Sequence, residues 1–385
     1  MALIYKFYCH IFFFCIIFFI GVIILKKDVF KYRSLWMGLA IFMIVYFHSL
    51  FFITFFKDAH SPLISILKEL KTFFYGGTDI FLFSSGIGCF FSFKNLLQKT
   101  TDPLYENESP AIISFMRRRL YRIAPSFLPF CIIYIAYQKA FGSIDFPSII
   151  GNIFFIQSFT GTGTSFNWYL SAMWLFYILT PYFYYLINSH TKKVSYLIII
   201  LFSFVFSIPF WNTPFLIIFS RSSIFIIGMI TAKVLSSEEK ISLKFILLYI
   251  ALFIIGLCLL ELIKFKFRNI SLLYGLLWYP FIFTAPGACI LLSILAFHTE
   301  KYCIAKKIID FFSFIGNYTF EIFLIHIFLF NIYDNLVKSS KLSADKIDAY
   351  IFIIVLIIPC TVILVLISNG IKHLANRNIK NNSNS

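Results

Sequence analysis

The chain has 385 residues, of which 60% are hydrophobic and only 13% charged, with 33 Lys and Arg against 17 Asp and Glu. A soluble domain averages about 25% charged residues, so this composition, with a mean hydropathy of +0.88, excludes an ordinary soluble enzyme and describes a polytopic membrane protein. The net charge of +16 lies in short Lys and Arg clusters between apolar runs, which is the pattern of juxtamembrane anchors and not of a nucleic-acid surface.

Runs of about 20 apolar residues predict about 11 spanning helices. They fall at residues 4–25, 35–56, 72–93, 123–141, 166–187, 194–211, 214–234, 243–263, 273–297, 311–333 and 350–371. We therefore expect an all-α polytopic protein with one integral-membrane domain over residues 1–371. The polar residues 372–385, rich in Lys, Asn and Ser, are expected to form a disordered tail.

The first run has no small-residue cleavage site and is followed by Lys26 and Lys27, so it is expected to be retained as a helix. Residues 149–155 are apolar but too short to span, and should lie at the interface or re-enter the membrane. Pro209 and Pro214 should bracket a tight hairpin, and Pro280 with Pro286 should bend or split the ninth helix. No internal repeat or coiled coil is visible.

Orientation follows from the basic residues, because short positively charged loops stay in the cytoplasm. With the N-terminus outside, about 21 of the 33 Lys and Arg face the cytoplasm and about 12 face outward. The expected topology is N-terminus out and C-terminus in, although Lys264, Lys266 and Arg268 fall outside in it. The 8 cysteines form no CxxC pair and have no His at metal spacing, so they are expected to pack, with no metal site.

The chemistry is carried by a few polar side chains in apolar surroundings. RSLWMGLAIFMIVYFH, residues 33–48, places Arg33 at the start of a helix and His48 deep within it. An ionisable residue at that depth costs roughly 2.5–3.5 kcal/mol on insertion scales, so it calls for a partner or a function. An imidazole titrates near neutrality and suits a general base; the plainer alternative is a histidine hydrogen-bonded to a neighbouring helix.

FYGGTDIFLFSSG, residues 74–86, brings Asp79 and the small run Ser84, Ser85, Gly86. Asp79 can pair with a cation or cap its helix, while the small residues let another backbone approach. FMRRRLYRIAP, residues 115–125, places Arg119 and Arg122 in a basic cluster that can be a topology anchor or a bidentate phosphate site for a nucleotide-bearing donor such as coenzyme A. NWYLSAMWLFYILTP, residues 167–181, carries Trp168 and Tyr177, and Trp168 is placed for an interfacial belt or a sugar-stacking surface. GNYTFEIFLIH, residues 316–326, carries Glu321 and His326. They are too far apart around a helix to share one face, so His48 with Asp79 or Glu321 across helices is the more attractive base-carboxylate pair.

In this order, and over about residues 33–370, these segments resemble the acyltransferase-3 family of bacterial membrane acyltransferases, which O-acetylate cell-surface polysaccharides. The first family helix has an Arg, a Gly and an apolar run ending in His. Gly38 and His48 match it, Met37 stands where the Arg is usual, and Arg33, one turn earlier, is placed to take over. The further matches are Asp79, Phe81, Ser85 and Gly86; then Arg119, Arg122 and Pro125; then Trp168, Leu170, Tyr177 and Pro181; then the late Gly, aromatic and His helix. The Glu often found in the Trp helix is absent. The family has a ten-helix core with its His helix first, which makes residues 1–30 an N-terminal addition.

The resemblance implies an O-acyltransferase of the bacterial inner membrane. It would move acetyl from cytoplasmic acetyl-CoA, with no permanently bound cofactor, to a sugar hydroxyl of a lipid-linked or cell-surface polysaccharide. His48 would be base or acyl relay, oriented by Asp79 or Glu321. Arg33, Arg119 and Arg122 would hold the donor phosphates, and Ser85, Trp168, Tyr177 and His326 would bind substrate. The expected partners are the donor, the glycan and membrane lipids, without nucleic acid. A glycan polymerase or ligase would instead carry a large outer loop rich in Arg and His, and residues 142–167 contain neither. A flippase or transporter would show inverted repeats and charges along several helices.

Overall fold

The architecture is that of a computed structural model, which describes residues 26–49, 62–100, 109–142, 144–160, 168–189, 193–210, 213, 215–237, 242–267, 276–339 and 347–383. The predicted helix at 4–25, the acidic stretch at 102–108 and the Gly-Thr run at 161–165 lie outside the described residues. Among the described residues there is no strand. Eight helices are long and apolar enough to cross a membrane, and two shorter apolar ones, Arg33–His48 and Val194–Phe210, accompany them. The ten correspond one for one to the predicted runs after the first, because crossing length and apolarity are local properties of sequence.

The crossing helices are named in chain order: α1 Arg33–His48, α2 Gly77–Thr100, α3 Ser109–Phe141, α4 Trp168–Ser189, α5 Lys193–Val205, α6 Ser222–Ser237, α7 Leu243–Phe267, α8 Phe281–Thr299, α9 Thr319–Lys338 and α10 Ile347–Ser383. Contacts gather at two ends of the bundle. At one end Arg33 meets Ser84, Arg119 meets Gly88, and Lys31 pairs with Glu300. This end holds most of the clustered cations and is called the basic end below. At the far end Lys71 reaches the Ser49 carbonyl and Asn335 donates to Tyr137.

Without a hydrophobic difference between lipid and protein, helices in a membrane associate through close packing and hydrogen bonds. The crossing of α2 and α6 shows the first. A Cβ at Gly86 would overlap the Phe225 carbonyl, and one at Gly228 would overlap the Phe83 carbonyl, so the two backbones touch directly, as the small residues in 84–86 led us to expect. Trp36 shows the second. Fully buried on α1, it donates its indole N–H to Ser293 Oγ at 2.9 Å, and Ser293 in turn donates toward the Val29 and Cys289 carbonyls.

Several local expectations met different outcomes. Residues 146–153 form a short helix, N-capped by Asp145, whose Oδ1 accepts the Ser148 N–H at 3.0 Å. The following Phe155, at φ 61°, turns its ring onto Phe127 and Trp174. A 3₁₀ turn at Ile208–Phe210 sits in the Pro209 hairpin. The break in the ninth predicted run falls at Pro280, the N-cap of α8, whereas Pro286 stays within a continuous helix. The tenth predicted run begins too early. Its first six residues, 311–316, belong to a separate amphipathic helix, Cys303–Gly316, and the crossing starts at Thr319 after a turn at Asn317 and Tyr318.

The tail also departs from expectation, since α10 continues as helix to Ser383. Residues 371–383 contain neither Gly nor Pro, so nothing in them breaks the helix. Tyr121 also holds this extension, donating its hydroxyl toward the Lys372 carbonyl and Asn376 Oδ1 at 3.1 Å each.

The glycine crossing gives a graded test. Gly86→Val and Gly228→Val should each destabilise the detergent-solubilised protein by about 1–3 kcal/mol, the usual cost of overpacking, read as a lowered melting temperature. Gly370→Ala, where a Cβ meets nothing within 4 Å, should leave stability unchanged or raise it slightly.

Candidate functional site

The ten side chains singled out in the sequence sort into three groups. Arg33, Ser85, Arg119, Arg122, Tyr177 and Glu321 line one cavity. His48 and His326 meet each other. Asp79 and Trp168 both meet Arg221.

The cavity, of about 160 Å³, opens among α1, α2, α3, α4, α9 and the start of the α10 extension. Four cations, Arg33, Arg119, Arg122 and Lys372, share it with a single carboxylate, Glu321. Arg33 donates from Nε to Ser84 Oγ at 2.8 Å. Arg119, which is 8% exposed, donates from Nη2 to the Gly88 carbonyl at 3.3 Å and lies over the Phe115 and Tyr177 rings. Both guanidiniums therefore lean on the same short stretch of α2, and a Cβ at Gly88 would stand 2.7 Å from Arg33 Nη2. Met37, the residue where the family usually has Arg, also lines the cavity, so one turn of α1 presents both positions. The excess of positive charge around a small, partly open cavity suits a phosphate-bearing ligand.

Glu321 accepts a hydrogen bond from Ser126 Oγ at 2.6 Å. It faces the cavity and not His48. Asp79 is likewise committed elsewhere, with Oδ1 at 3.1 Å from Arg221 Nε and both side chains at most 1% exposed. The Arg221 guanidinium is walled by Trp168, Tyr75 and Trp278 at 4.8, 5.3 and 5.3 Å, and its Nη1 donates to the Ile217 carbonyl. The expected pairing of His48 with Asp79 or Glu321 is thus corrected. Asp79 stands in the first turn of α2, level with the start of α6, where a buried guanidinium is its natural counter-charge.

His48 pairs instead with a second imidazole. Its Nδ1 lies 3.0 Å from His326 Nε2, and His326 Nδ1 lies 2.9 Å from the Ile322 carbonyl. A carbonyl can only accept, so the His326 proton sits on Nδ1, its Nε2 accepts, and His48 must donate from Nδ1. This chain fixes the tautomer of His48 and leaves its Nε2 lone pair to take a proton. The pair is a base with an orienting group behind it, in which the orienter is neutral.

Sequence reasoning missed Arg221, Gly88, Cys89 and Lys372, the last three of which lie at or beside the cavity. Arg221 carried a readable signal, as a charge inside the apolar run 214–234 that calls for a partner. Gly88, Cys89 and Lys372 carried none, since their place depends on which helices surround them.

Two outcomes follow. Gly88→Val should push the Arg33 guanidinium aside and weaken binding of inorganic pyrophosphate, used as a phosphate-bearing probe of the cavity, about tenfold, the worth of one charge-assisted contact; calorimetry giving wild-type affinity would remove Arg33 from the anion site. Asp79→Asn should destabilise the fold by about 3–5 kcal/mol by leaving a buried guanidinium unpaired, whereas Asp79→Leu with Arg221→Met should recover most of that loss, measured as melting temperatures in detergent.

No curated protein and no solved structure matches the chain. The family model of the acyltransferase domain does, over residues 35–366, a stretch that holds both histidines and nearly all of the ten-helix bundle. The chain belongs to the acyltransferase-3 family and is a membrane acyltransferase.

Proposed function

We propose that this acyltransferase moves an acetyl group from cytoplasmic acetyl-CoA to a sugar hydroxyl of a lipid-linked or cell-surface polysaccharide, in the bacterial inner membrane. The observation that carries the reading is the placement of two unlike sites along one helix. The 16 residues of α1 set Arg33 and His48 about 22 Å apart along its axis, close to the reach of an extended pantetheine arm. Phosphates held by Arg33, Arg119, Arg122 and Lys372 would leave the thioester pointing toward the histidine pair. By the distribution of basic residues, the basic end faces the cytoplasm, the N-terminus lies outside and the C-terminus inside.

His48 Nε2 takes the proton of the acceptor hydroxyl as its oxygen attacks the thioester carbonyl. The C–O bond forms, the C–S bond breaks, and the proton passes from His48 to the departing thiolate. His326 accepts the hydrogen bond from His48 Nδ1–H throughout, so the imidazolium that forms transiently is held in one orientation. Glu321 tempers the four cations and fixes Ser126. Asp79 and Trp168 serve by holding Arg221 at the far end, and Ser85 and Tyr177 shape the donor cavity.

His48→Ala should lower transfer by about 100-fold or more, the range expected for loss of a general base, with the protein still inserted and monodisperse. Mass spectrometry of surface glycan from cells carrying only this variant should lack the acetyl mass increment. Wild-type acetylation in that strain would sink the reading.

A further inference from the structure

Between the basic cavity and the histidine pair stands a partition one side chain thick. Phe81, Tyr169 and Phe323 line the cavity. Their ring centroids follow one another at 5.9 Å from Phe81 to Tyr169 and 5.1 Å from Tyr169 to Phe323. Phe323 then meets His326 at 5.7 Å. The three residues are 2%, 7% and 2% exposed. Phe323 precedes His326 by three positions on α9, so the ring and the imidazole occupy successive turns of one helix.

Three geometric facts act together. The cations are anchored on Ser84 and Gly88 of α2 or held beside Tyr121, whereas Phe323 is the cavity residue that touches the histidine pair. A donor whose phosphates meet the cations presents its acyl end to the rings. The three rings form one wall of the cavity, so an acyl group entering among the cations meets them before it meets His326, which Phe323 touches. The acyl group must therefore pass the rings to reach His48.

We infer that Phe81, Tyr169 and Phe323 select the acyl group by length, admitting a short one past the partition and rejecting longer ones. The inference rests on the reading of the cavity as the donor site. The rings take no part in making or breaking bonds; they are specificity residues, and the balance of the transfer is that given above. Phe323 is the decisive member because it alone of the three touches a histidine of the pair.

The test offers acetyl-, butyryl-, hexanoyl- and octanoyl-CoA to the full-length protein in liposomes with a glycan acceptor, and follows coenzyme A release and ester formation. In the wild type, transfer should fall steeply with length, by about tenfold or more for each step, since one methylene in a tight apolar site discriminates by about that factor. Phe323→Ala should raise the hexanoyl-to-acetyl ratio by about tenfold. Phe323→Leu and Phe81→Leu, which keep an apolar side chain in place, should raise it less, and protect the experiment from a variant that fails to fold. Where turnover is lost, equilibrium binding of the same esters reads the same ratio. A ratio unchanged in all three variants overturns the inference while leaving the donor site intact, provided coenzyme A esters still bind. A wild-type protein that neither binds nor uses any ester overturns the donor reading, and the length filter with it.

Discussion

The structure depends on a direct contact between two backbones. At Gly86 and Gly228 no side chain separates α2 from α6, and in a membrane, where burial of apolar surface gains little, such contact is a main source of helix association. It seats α2 in the middle of the bundle and fixes its rotation. With one face against α6, the same helix turns Ser85 and Cys89 to the cavity and Ser84 and Gly88 to the two arginines. A small rotation of α2 would disperse all of these at once.

Charge inside the bundle is handled in two different ways. At the far end the Asp79–Arg221 pair is sealed among Trp168, Tyr75 and Trp278, which makes it a structural tie between α2, α4 and the start of α6. Such a pair costs desolvation, and its worth lies in the penalty for removing one partner. At the basic end four cations face an open cavity with one carboxylate among them. That arrangement leaves positive charge for an incoming anion. The histidine pair, with His48 the last residue of α1, has its protons placed by the Ile322 carbonyl and needs no buried carboxylate.

The separation of these three groups gives the proposed reaction a direction. The cation-lined cavity, the histidine pair and the Asp79–Arg221 tie are separate groups, and the rings of Phe81, Tyr169 and Phe323 connect the first two. A soluble transferase can bring both substrates into one cleft from the same solvent. In the proposed reaction donor and acceptor come from opposite faces, and the two groups that would serve them, Arg33 and His48, stand at the two ends of α1.

Crossing segments were legible in the sequence because hydropathy is a local sum, and the family was legible because its motifs are short and ordered along the chain. His48 stood out by itself, since an imidazole deep in an apolar helix has few neutral explanations. Arg119 and Arg122 could be singled out as candidates for phosphate contact from residue type, and Arg33 from the family resemblance. Their partners could not. His48 pairing with His326, Asp79 with Arg221 and Glu321 with Ser126 are decided by how each helix is rotated and which neighbour it faces. Helices such as α1 and α8 are apolar on nearly every side, so they carry no polar stripe to encode that rotation. The sequence by itself determined which segments are apolar enough to cross a membrane and which polar residues lie within them. Only the tertiary structure, through close backbone contacts and buried hydrogen bonds, decided which of those residues meet.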